Sequence, residues 1–249
     1  MSLYKSFEQN FNNFKIKLNN TVKKLDGRAK VTLPTTWVSV ENYDKNLGSL
    51  MLKPSEPIIM KGVSQKGNKV SKRLCLYMSG YIIINGKQAD GKIKISKYNT
   101  QLLYCDPEQR DDYRRLKVSG GFHFDFECNP QPVHPIFHMQ LDNTVLREEV
   151  SADTAVQHVT PLVGENRCFR VPTSQMDIFS TLVMVVADHF VDKGNAEECD
   201  SFMNFVKDIQ AHSLCIDMGE CTRTFGGHLS TMTNMNSSSW YCERPQINV

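Results

Sequence analysis

Nothing in the chain approaches the ~20 consecutive apolar residues that a membrane-spanning helix needs. The first residues, MSLYKSFEQNFNNF, hold no apolar signal core, so no membrane partner and a cytoplasmic location are expected. There is also no C-x-x-C pair. The eight cysteines (Cys75, Cys105, Cys128, Cys168, Cys199, Cys215, Cys221 and Cys242) are scattered, which in a reducing compartment reads as buried free thiols. His212, Cys215, Cys221, His228 and Cys242 match no regular zinc-ligand spacing. An excess of charge is missing as well: 29 Lys and Arg against 27 Asp and Glu leave +2, a balance that by itself points to neither nucleic acid nor membrane.

Several catalytic signatures are absent. The chain has no P-loop, no G-x-G-x-x-G after a strand, no H-E-x-x-H and no G-x-S-x-G. Nucleotide-dependent kinases, dehydrogenases and serine hydrolases therefore gain no positive support. Thr224-Phe225-Gly226-Gly227 follows no clear strand. No repeat or low-complexity block is visible.

What is present suits one α+β domain over residues 1–249. With 249 residues, 40% hydrophobic and 22% charged, the chain can bury a sizeable core. The expected architecture is a mainly antiparallel sheet region over 36–160, an N-terminal helix over 1–26, a helical hairpin over 173–212 packed on the sheet, and an irregular tail over 213–249. Phe7, Phe11, Phe14, Leu18, Val22 and Leu25 recur every three or four residues, one stripe of a helix that Asp26-Gly27 ends. That stripe either packs on the sheet or pairs with a second copy in a homodimer. Short strands are expected at 36–40 and 49–52. Leu74–Ile84 reads as a strand pair or one bent strand, with a bulge at Gly80. Ser174 with Asp177 resembles a capping box opening a buried helix that runs to about Val191; Asn195 with Glu198 caps the next.

The densest chemistry lies between Gly121 and Asp142. Phe122, Phe124 and Phe126 alternate with His123, Asp125 and Glu127, and Phe137, Met139 and Leu141 alternate with His138, Gln140 and Asp142. Period two means strands. Pro130, Pro132 and Pro135 make the intervening segment a loop, with His134 at its end. If both apolar faces enter one core, the imidazoles and carboxylates share the other face. An ordinary solvated sheet face would also alternate, but it favours Lys, Thr and Ser rather than His and acids.

Two readings follow. In the first, the chain is a hydrolase of phosphodiesters, nuclease-like, either metal-assisted or histidine-based. His123, Asp125, Glu127 and His138 are then the catalytic candidates. Asp125, His138 and Asp142 would ligate a divalent metal, and Lys66, Lys69, Lys72, Arg73, Arg114 and Arg115 would hold the anion. The 61–97 region carries nine basic residues against one acid, Asp90, with Tyr77 and Tyr81 among them; it is the candidate surface for nucleic acid or a nucleotide. Lysines guarding a sheet edge would look the same. In the second reading the chain is a non-catalytic interaction subunit of a larger cytosolic complex, dimeric through its first helix.

Overall fold

The structure, a computed structural model, describes residues 3–26, 29–41, 49–64, 73–87, 93–109, 112–127, 137–141, 158–160, 170–173, 176–210 and 215–216. In chain order the elements are α1 (Leu3–Leu25), β1 (Lys30–Thr32), β2 (Trp37–Glu41), β3 (Leu50–Pro54), β4 (Ile58–Ser64), β5 (Arg73–Lys87) and β6 (Ile93–Gln109). They continue with β7 (Asp112–Glu127), β8 (Phe137–Leu141), β9 (His158–Thr160), β10 (Arg170–Pro172), α2 (Ile178–His189), α3 (Ala196–Gln210) and β11 (Cys215–Ile216). The fold is α+β: a mainly antiparallel sheet, one N-terminal helix and two C-terminal helices.

The sheet runs β1-β4-β5-β6-β7-β8-β10, with β3 sharing the edge of β5 and β2 beyond it. Among the described residues, only the short β9 and β11 add in parallel, to β7 and β6. The sheet is wider than the 36–160 expected, because β1, β10 and β11 lie outside that span. Part of the expected irregular tail, Cys215–Ile216, is a strand, and the rest of the tail lies outside the described residues.

The long strands β5, β6 and β7 form its centre. Each is apolar in alternate positions on the face under the helices: Met78 and Ile82 on β5, Tyr98 and Leu102 on β6, Phe124 and Phe126 on β7. Gly80 is not a bulge. It stays in register with Thr100, and the shifts fall at Ile83/Ile84 and Ile84/Gly86. Glycine is needed there because φ is +137° and a Cβ would collide with the Asn99 carbonyl.

The stripe on α1 is spent inside the chain: Phe7, Phe11, Phe14, Leu18, Val22 and Leu25 are all buried. Phe7 and Phe11 meet the Trp37 ring edge-on at 5.0 and 5.3 Å, and Phe14 meets Phe179 at 5.1 Å. Removing it from solvent is the ordinary hydrophobic driving force.

Helix α2 starts later than expected. Asp177 is its N-cap rather than the last member of a box: Oδ1 accepts from the Phe179 and Ser180 N–H groups at 2.9 and 3.3 Å, and Oδ2 from the Ser180 hydroxyl at 2.9 Å. Its end is at His189, not Val191. Asn195 caps α3 as anticipated, accepting from Glu197 and Glu198 N–H. Helix α3 lies against α1, with Phe205 beside Phe14 and Lys17 bonded to Asp208 at 2.8 Å. Tyr98 ties sheet to helix: its buried hydroxyl accepts from the Met176 N–H at 2.7 Å. Among the described residues, no helix is long and apolar enough to cross a membrane.

Candidate functional site

The site is built on β7. Its odd and even positions must part company because the strand is pleated. Phe124 and Phe126 enter the helix-covered core, so His123 and Asp125 stand on the opposite face. Strand β8 pairs with β7 in the register the alternation requires: Phe122 opposite Leu141, Phe124 opposite Met139, Phe126 opposite Phe137. The interleaved pairs are His123 with Gln140 and Asp125 with His138.

On its other side β7 meets β6, which brings Gln101 opposite His123, Asn99 opposite Asp125 and Lys97 opposite Glu127. Here side-chain geometry is specific. The His123 Nε2–H donates to Asp125 Oδ2 at 2.9 Å. The Asn99 amide donates to Asp125 Oδ1 at 2.5 Å. Each Asp125 oxygen thus accepts a hydrogen bond, and the carboxylate fixes the imidazole through one of them. The side chains of His123 and Asp125 are 18% and 29% exposed, shielded enough to strengthen the pair and open enough to meet a solute. With Nε2 occupied by the carboxylate, Nδ1 is the basic nitrogen of neutral His123.

Asp125 and His138 occupy opposed positions, but N–H donors already engage both Asp125 oxygens, where a cation would bind. Among the described residues no three His, Cys, Asp or Glu groups come together as a ligand set. Asp142 and His134 lie outside the described residues. The dyad is arranged to orient an imidazole.

Among the cations named from sequence, those on β7 are not beside the dyad. Lys66, Lys69 and Lys72 lie outside the described residues. Lys61 and Arg73 belong to β4 and β5. Arg115 is exposed, eight residues along β7 from His123, or roughly 26 Å at strand rise, and Arg114 is one position further. The register supplies other basic residues instead. Lys97 is opposite Glu127, and Arg170 on β10 is opposite Gln140, in the cross-strand row that contains His123.

The same face changes character towards the other end of the sheet. Ile59, Cys75, Tyr77, Leu103, Cys105, Leu116 and Val118 form a second buried apolar cluster. Tyr77 is thereby consumed in packing and is not a stacking platform for a base. Burial pushes the Cys75 thiol up to about 12 and the Cys105 thiol further in the same direction, so both stay protonated and inert.

Sequence reasoning missed Asn99 and Arg170. Asn99 carried a signal, since Asn99 and Gln101 alternate with Tyr98, Thr100 and Leu102. Arg170 carried none, for its place depends on a three-residue strand. No known protein family, no curated protein and no solved structure matches this chain.

Proposed function

We propose that the chain is a histidine-based phosphodiesterase, with the His123–Asp125 dyad as its proton-transfer machinery. The observation that carries this reading is the Asn99–Asp125–His123 chain of hydrogen bonds on a partly open sheet face. Its chemistry follows from the parts. Neutral His123 takes a proton from the attacking hydroxyl through Nδ1. Asp125 holds the ring in that tautomer and stabilises the imidazolium that forms. Asn99 keeps the carboxylate from swinging away. In the strand register His138 is opposite Asp125, and Glu127 is opposite Lys97. Phosphodiesters suit the site because Arg170 and Lys97 fall to either side of it in the strand register and an imidazole can move the proton that attack on phosphorus requires.

Fluorogenic oligonucleotides test the proposal. His123→Ala is expected to lower kcat by roughly 10²–10⁴-fold, the usual share of general acid–base catalysis. Asp125→Asn, which keeps the shape and removes the charge, should lose much of the same factor. Full activity in a folded His123→Ala variant would end the assignment, as would a native protein that cuts no oligonucleotide.

A further inference from the structure

We propose that Tyr81 and the amides beside it bind an unpaired nucleobase, which makes single-stranded nucleic acid the ligand of the dyad's face. This rests on the phosphodiesterase reading and names its substrate class. The placement follows from the pleat of β5. Met78 and Ile82 enter the core under the helices, so Ser79 and Tyr81 stand on the other face, with His123 and Asp125. Tyr77 shares that face but is buried in the smaller apolar cluster. Tyr81, four residues on, belongs to neither cluster and is half-buried.

The register puts Tyr81 in one row with the dyad. It is opposite Asn99 on β6, and Asn99 is opposite Asp125 on β7. Neighbouring strands are about 4.8 Å apart, so Tyr81 stands roughly 10 Å across the sheet from Asp125. A base and its sugar bridge that span when the phosphate lies over the dyad. Between the two, β6 presents amides rather than rings or branched aliphatics. One is Asn99. The other is Gln101 in the next row, 8% exposed, whose Oε1 accepts from the Ser79 hydroxyl at 3.5 Å. Lys97, two positions before Asn99 on the same strand face, adds positive charge one row further on.

The chemistry of the row matches a base. Every base has a face that stacks on an aromatic ring, and amides hydrogen-bond base edges. A base within an intact duplex keeps its own stacking partners and leaves no face for Tyr81. The Asn99–Asp125–His123 chain then meets the phosphate beside the stacked base.

The test is fluorescence anisotropy on the full-length chain, in the His123→Ala background so that cleavage does not interfere. The labelled probes are single-stranded RNA, single-stranded DNA, a DNA duplex of the same sequence and an abasic DNA strand. At least one single strand should bind, and the tighter of the two names the sugar. The abasic strand should bind more weakly by roughly 5- to 150-fold, the worth of one stacked base. Tyr81→Leu should lose a similar factor, and Tyr81→Phe, which keeps the ring, should retain native affinity; circular dichroism checks that both are folded. Duplex or abasic DNA bound as tightly as the single strands would overturn the inference, as would unchanged affinity in Tyr81→Leu or an equal loss in Tyr81→Phe. Cleavage of oligonucleotides by the native protein is followed in parallel. Cleavage without this binding pattern removes the base site alone. The binding pattern without cleavage removes the phosphodiesterase reading alone.

Discussion

At the scale of single residues, two histidines show how placement decides chemistry. His123 sits on the open face and is held by a carboxylate. His189 sits at the end of α2, 7% exposed, with Nε2 against the Tyr104 hydroxyl at 3.2 Å. Burial holds His189 below the ordinary histidine range, and the nearby Asp188 charge offsets this only in part. The sign of the linkage follows. A base whose folded pKa is depressed resists a proton that the unfolded chain accepts. Its contribution is therefore fully present above the unfolded value, about 6.5, and is lost as pH falls from there through the folded value. His189→Gln should flatten this part of the profile, where one proton accounts for a slope of at most about 1.4 kcal/mol per pH unit. Urea melts of both proteins between neutral and mildly acidic pH would show it. Parallel profiles would mean that His189 does not titrate differently on unfolding.

At the scale of elements, Gly80 links stability to the site. It lies on β5 opposite Thr100, where any Cβ would press on the Asn99 carbonyl, and Asn99 is the residue that steadies Asp125. Gly80→Ala should cost roughly 1–3 kcal/mol from the unfavourable φ alone. It should also reduce cleavage beyond what the lost stability explains, read as kcat/KM at a temperature where the variant is fully folded. Activity equal to the native protein would mean that β6 gives way without moving Asn99. Elements also show what was legible beforehand. Helix α1 was, because its stripe is local and repeats over six apolar positions. The β7–β8 pairing was, because two alternations must hide two apolar faces. The β6–β7 partnership was not. Counting back from Gln109 opposite Asp112 pairs Asn99 with Phe122, on the wrong face. Two register shifts, at Pro107/Gln109 and Tyr104/Cys105, bring it to Asp125. Bulges are set by tertiary packing and leave little local trace.

At the scale of the whole molecule, the sheet has two cores of unequal size. The larger joins three helices to the sheet, and the smaller lies on the face that carries the dyad. Cys75 and Cys105 are cross-strand partners within the smaller one, both fully buried. Reaching them means separating β5 from β6, the centre of the fold. With iodoacetamide at pH 8, peptide mapping should find Cys199, which is partly exposed, labelled in the native protein. Cys75 and Cys105 should label together, and only in denaturant at the concentration where circular dichroism reports global unfolding. Early labelling of either would mean that the smaller core opens by itself.

The pleat that sets His123 and Phe124 on opposite sides has a consequence for how such a chain can diversify. Exchanging letters alters one side at a time. Adding or dropping a single residue between Gly121 and Glu127 swaps the two, sending imidazole and acid into oil and phenylalanine into water. Descendants of this protein can thus change letters on either side of that segment more readily than its length, and a constant count there would mark kinship even where little identity survives.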